Sequence, residues 1–183
     1  QHFEQSGFAV LDFAEDVDVV VVNTCTVTSR SDTDTRKIVN KIQKQQPGAK
    51  IALVGCQAQT QKEQLLNLPG VQWVIGNAVK MNLPQVLDST WNDAPQVMAP
   101  KIGHDAFTLP TAGIDRQHTR ANLKIQDGCD FYCTFCEIPY ARGHSRSRVF
   151  DDILQEAETL VAAGHKELVL TGINIGTYRY QNL

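Results

Sequence analysis

Three of the five cysteines, Cys129, Cys133 and Cys136, lie close together in IQDGCDFYCTFCEIPYARGHSRSR, spaced C-x3-C-x2-C. Thiolates this near one another reach a common metal centre only if the segment wraps around it. Gly128, Pro139 and Gly143 favour such a loop. Cysteine thiolates are the usual ligands of iron–sulfur clusters, and a cubane needs four to cap every iron. Three without a local fourth point to a 4Fe-4S cluster with one iron open to a substrate or cofactor. A zinc site would want a fourth Cys or His, for which His144 is the local candidate. Buried core cysteines would show no such spacing. An odd cysteine count also fits a reducing compartment better than a disulfide scaffold.

This C-x3-C-x2-C, with Phe135 directly before the last cysteine, resembles the signature of radical S-adenosylmethionine (SAM) enzymes. The longer string, CTFC-x-IPYARG-x-SRSR, resembles the methylthiotransferase branch. The resemblance implies that Cys129, Cys133 and Cys136 hold a 4Fe-4S cluster. Its open iron would take the amino and carboxylate groups of S-adenosylmethionine, with Phe135 near the adenine. One position departs: Glu137 stands where the family usually carries an aliphatic residue. Its charge would disfavour cluster reduction unless it faces solvent or pairs with Arg142.

The loop must be carried by regular elements. The pattern predicts a strand over Asn122–Gln126, a helix over Asp152–Ala163 and a strand over Glu167–Thr171. Ile153, Leu154, Ala157, Leu160 and Val161 share the apolar helix face, Asp152 is the candidate cap and Gly164 the stop. Strand–helix–strand opens a (β/α) barrel, with the cysteines at the carboxyl end of its first strand, where barrel chemistry sits. TGINIG occupies the same end of the next strand. The resemblance places S-adenosylmethionine contacts there, at Gly172 and Asn174.

Ahead of this, strand and helix patterns alternate. VDVVVV, Val17–Val22, reads as a strand buried on both faces, followed by a helix from near Ser31 to Pro47-Gly48. Ile51–Val54 and Val71–Ile75 read as further strands, Gln61–Leu68 and Met81–Leu87 as helices. The alternation implies an open parallel sheet, Rossmann or flavodoxin-like, which binds ligands at its carboxyl edge. Cys25 and Cys56 both fall at that edge. Spacing alone leaves ligand and apolar filler equally open for these two. NTC-x-V and GC-x-AQ resemble the amino-terminal methylthiotransferase domain, which implies a second 4Fe-4S cluster on Cys25, Cys56 and a third cysteine expected upstream of QHFEQSGF. On this resemblance the chain is expected to be cut at both ends and inactive by itself.

The expected organisation is thus α/β throughout. Residues 1–88 form the parallel-sheet methylthiotransferase domain and 89–120 a linker with one short strand. Residues 121–183 form the start of a radical SAM partial TIM barrel. His104 and His118, in the linker, are given no role. With 183 residues, 42% apolar side chains and a net charge of −3, the chain does not advertise nucleic-acid binding by bulk charge. No run reads as a membrane span or secretory signal, so the cytoplasm is the expected compartment.

Arg142, Arg146 and Arg148 form a local basic patch, suited to tRNA phosphates or the cofactor carboxylate. The resemblance implies an enzyme that methylthiolates tRNA, with S-adenosylmethionine, two 4Fe-4S clusters and a reductant such as flavodoxin or ferredoxin. Within the family, CTVT with SD-x-x-x-RK (Cys25 to Lys37) and IPYARG-x-SRSR resemble the branch acting at C2 of threonylcarbamoyl-modified adenosine 37. The alternatives are the isopentenyladenosine branch, the branch modifying a ribosomal-protein aspartate and, from another class, a non-catalytic iron–sulfur or zinc protein.

Overall fold

A computed structural model describes residues 2–13, 15–26, 29–109 and 119–180. The chain divides into two compact units, Gln1–Lys101 and Ile102–Leu183.

The first unit opens with a single turn of helix, α1 (His2–Gln5). Four parallel strands follow, β1 (Val19–Thr24), β2 (Lys50–Gly55), β3 (Val71–Ile75) and β4 (Gln96–Met98), in the spatial order β1-β2-β3-β4. Helices α2 (Ser29–Gln45), α3 (Cys56–Leu66) and α4 (Leu83–Ser89) connect them. Strand alternation divides β2 between two cores. Ile51 and Leu53 pack with Val39 and Ile42 of α2 and Leu65 of α3, while Ala52 and Val54 pack with Trp73, Leu83 and Leu87. The sheet is therefore covered on both faces, which is why its central strands read as unbroken apolar runs.

Two expectations are corrected here. The valine run is not buried on both faces: among the described residues β1 is an edge strand paired only with β2, and Val21 is exposed. An edge strand can be as β-branched as a central one, so composition did not separate them. Helix α3 begins at Cys56 rather than Gln61, and Lys62 breaks its regularity with φ 36°. The short strand expected between residues 89 and 120 is β4, and it belongs to the first unit's sheet.

The second unit is built on β5 (Arg120–Lys124), α6 (Phe150–Ala162) and β8 (Glu167–Thr171), with β5 and β8 paired in parallel. Between β5 and α6 run β6 (Gln126–Asp127), the five-residue helix α5 (Ile138–Arg142) and β7 (Arg146–Ser147). Leu123, Ile125, Ile153 and Leu160 form the small core, while Leu154 and Val161 of the expected apolar face are exposed. Asp152 does not cap α6: Val149 holds that position without a side-chain bond, and Asp152 accepts from the Leu109 N–H and pairs with Arg148. Gly164 closes the helix at φ 101°.

Candidate metal centre

The loop carrying the cysteines hangs from a narrow neck. Strands β6 and β7 pair antiparallel, Gln126 opposite Ser147 and Asp127 opposite Arg146. The Cys129 N–H adds a bond to the Gly143 carbonyl at 3.1 Å. Gly128 makes the closure possible: its φ is 72°, and a Cβ there would stand 1.9 Å from the His144 carbonyl oxygen. The neck places the loop immediately beyond the carboxyl end of β5.

Within the loop, the Cys136 N–H donates to the Cys133 carbonyl at 2.9 Å. Cys133 is exposed, Cys129 and Cys136 are half-buried, and none forms a disulfide. His144 is held on both ring nitrogens, Nδ1 by Asp130 at 2.7 Å and Nε2 by the Tyr132 hydroxyl at 3.3 Å. His104 stacks on it at 3.8 Å, a contact that no signal in the sequence announced. The hydrogen bond from His144 holds the Asp130 carboxyl below the usual carboxylate range. His118 lies outside the described residues.

These residues fit a cubane better than a single ion. No three His, Cys, Asp or Glu side chains among the described residues converge at single-ion spacing. Each ligand of a cubane meets its own iron, so three thiols spread over one loop suit it. The candidate fourth zinc ligand, His144, is committed to Asp130 and Tyr132. Phe135 is 92% exposed, so its ring is available to a planar ligand, and Glu137 is exposed.

The basic patch resolves into different roles. Asp127, nearly buried, pairs with Lys124 at 2.7 Å, Arg142 at 3.2 Å and Arg146 at 3.6 Å. Burial pushes its carboxyl up, but Lys124, Arg142 and the Gly128 N–H outweigh this and its pKa is lowered. Arg146 also lies over the Phe107 ring at 5.1 Å. Arg148 is a correction to the expected RNA or cofactor contacts. It is 1% exposed, pairs with Asp152 at 2.5 Å and with Glu156, and donates to the Lys124 carbonyl at 3.2 Å. It is a structural pin inside the unit. Neither could be read from the sequence: Asp130 and Glu137 face the same basic run as Asp127, and Arg148 could not be told from its neighbours.

In the first unit, Thr24 and Gly55 are register partners, so Cys25 and Cys56 follow adjacent strand ends. Cys25 is exposed and Cys56 buried. Cys56 opens α3, and Asn77, just beyond β3, donates to its sulfur at 3.4 Å. Gly172 and Asn174 follow β8, Gly172 exposed and Asn174 half-buried.

Residues 1–76 match the family described as uncharacterized protein family UPF0004, and residues 123–181 match the radical SAM superfamily. The threonylcarbamoyladenosine tRNA methylthiotransferase MtaB of Bacillus subtilis is 39% identical over 97% of this chain and 40% of its own length. Its namesake from Aquifex aeolicus is 34% identical, over 96% of this chain and 43% of its own. The chain carries a UPF0004 region and a radical SAM region, and along nearly all of its length it is similar to methylthiotransferases. The radical SAM match implies a 4Fe-4S cluster and S-adenosylmethionine. The tRNA-2-methylthio-N(6)-dimethylallyladenosine synthase of Fervidobacterium nodosum is 32% identical over 97% of this chain and 40% of its own. The chain thus spans about 40% of the length of these methylthiotransferases. Among solved structures, the radical S-adenosylmethionine methyltransferase TsrM of Kitasatospora setae matches with a TM-score of 0.60 at 17% identity. The match covers 90% of this chain and 39% of that one, a likeness of fold. No helix among the described residues is long and apolar enough to cross a membrane.

Proposed function

We propose that this chain is the catalytic portion of a tRNA methylthiotransferase acting on threonylcarbamoyl-modified adenosine 37. The observation that carries the reading is the set of three free thiols on one necked loop at the carboxyl end of a parallel βαβ unit. Cys129, Cys133 and Cys136 would hold the 4Fe-4S cluster. When bound, it supplies the electron that cleaves S-adenosylmethionine and opens radical chemistry at a substrate carbon. Phe135 offers a ring face to the adenine, and Gly172 and Asn174 present the loop after β8. Asp127 fixes Arg142 and Arg146, which gather positive charge beside the cysteines for an anionic group. At the other unit, Cys25 and Cys56 would contribute two ligands to a second cluster, with Asn77 donating to the Cys56 sulfur. A flavodoxin or ferredoxin would supply electrons.

The substrate branch rests on CTVT with SD-x-x-x-RK and on IPYARG-x-SRSR, and the two MtaB relatives support it. Relatives named for dimethylallyladenosine keep that branch as the second reading. The test expresses the full-length parent in a strain lacking its own methylthiotransferases and analyses tRNA nucleosides by mass spectrometry. Methylthio-threonylcarbamoyladenosine is expected. Only methylthio-isopentenyladenosine would move the assignment to the second branch, and neither nucleoside would overturn the tRNA reading.

A further inference from the structure

Gln126 is a polar side chain with no exposed surface, and it is the first residue of the neck. Its amide oxygen accepts the consecutive N–H groups of Ile173 at 2.9 Å and Asn174 at 2.8 Å. Its amide nitrogen donates to the carbonyls of Asp127 at 2.9 Å and Gly128 at 2.8 Å, and to Ser145 Oγ at 3.1 Å. The amide orientation follows from chemistry: backbone N–H groups can only donate and carbonyls only accept, so a flipped amide would face like with like on both sides. One buried side chain thus joins the base of the cysteine loop to the loop after β8.

The packing is built around this bridge. Gly172 lies against Gln126, and a Cβ there would stand 3.0 Å from both Gln126 Cβ and Oε1. A second link runs alongside: Ser145 Oγ meets Thr177 Oγ1 at 2.6 Å, and Thr177 Oγ1 donates to the Asn174 carbonyl at 2.8 Å. Strand pairing between β5 and β8 ends at Lys124 and Thr171, so it does not itself set the loops beyond.

We infer that Gln126 is a positioning residue that fixes the Ile173–Asn174 backbone against the cysteine loop and so sets the affinity of the site for S-adenosylmethionine. The inference rests on the reading that the cofactor lies between these two loops. Gln126 itself is buried and acts through the backbone it holds. Methionine at this position keeps the volume and removes every hydrogen bond. Glutamate keeps an acceptor for Ile173 and Asn174 but loses the amide donor toward Asp127 and Gly128.

The test uses the reconstituted full-length parent as wild type, Gln126→Met, Gln126→Glu and Gly172→Ala. Its readouts are iron content, thermal unfolding, and S-adenosylmethionine affinity from the change in the cluster's electron paramagnetic resonance signal. Gln126→Met should keep the wild-type iron content and weaken S-adenosylmethionine binding by about tenfold or more, the order expected when hydrogen bonds of a buried amide are lost. Gln126→Glu and Gly172→Ala should fall between, each with full iron. Unchanged affinity in Gln126→Met and Gln126→Glu would overturn the inference. Loss of iron in both would overturn it too, because Gln126 would then hold the cysteine loop rather than the cofactor loop. If Gln126→Met does not fold, the same two outcomes in Gln126→Glu decide. A wild-type signal indifferent to S-adenosylmethionine would instead overturn the underlying reading of the site.

Discussion

The two groups of cysteines are placed in opposite ways. In the second unit, three cysteines come from one loop whose base is closed by a two-residue ladder and by polar side chains, Gln126 and Asp127. In the first, Cys25 and Cys56 follow the ends of two separate strands that sheet register sets next to each other. The surrounding cores differ likewise. The first unit packs helices on both faces of a four-stranded sheet, whereas the second has a small apolar core and a buried ionic centre at Arg148. A locally assembled site depends on a few polar pins. A site assembled by register depends on the whole sheet.

The comparison breaks most sharply at the ligands. On the proposed two-cluster reading, Cys133→Ala in a methylthiotransferase of full family length carrying this chain should abolish the iron of the second unit and leave that of the first. Cys56→Ala should do the reverse. Iron analysis and absorption spectra after anaerobic reconstitution check both, and a full iron complement in Cys133→Ala would remove the loop assignment.

Next come the pins against the sheet. Arg148→Ala leaves Glu156 and Asp152 without their buried partner and should cost about 3–5 kcal/mol of stability in denaturant unfolding. Trp73→Ala, which opens a void in the first unit's apolar core, should cost a similar ~3–5 kcal/mol. If Arg148→Ala costs less than about 1 kcal/mol, on the scale of an exposed pair, the ionic centre is not what holds the second unit.

Asp127→Asn should cost about 2–3 kcal/mol, because a neutral amide loses the charge-assisted bonds to Lys124 and Arg142 and the ion pair with Arg146. It should also increase proteolytic cleavage within residues 128–145; a cleavage pattern identical to wild type would show that the neck holds without it. The smallest effect belongs to Arg120→Ala. Its partner Glu167 is 2.9 Å away, but both side chains are more than half exposed, so the loss should stay within about 1 kcal/mol.

Much of this was legible beforehand because the physics is local. The C-x3-C-x2-C spacing places three thiols on one loop whatever surrounds it. Val71–Ile75 and Glu167–Thr171 are strands with the expected bounds, since short apolar runs between turn residues have few other choices. The alternation of strand and helix implied a parallel sheet, and the sheet is parallel.

Tertiary structure decided what depends on partners distant along the chain. Val17–Val22 could not reveal that its strand lies at the sheet's edge, because pairing depends on segments elsewhere. Arg142, Arg146 and Arg148 look alike in SRSR and its flank. Burial beside Glu156 and Asp152 makes Arg148 a structural pin, while Asp127 gathers the other two. Gln126 shows the same limit: its amide matters because the loop after β8, 47 residues on, brings two N–H groups to its oxygen. Residue types and spacing determined which atoms could do chemistry; the fold determined which of them face a ligand and which hold the others in place.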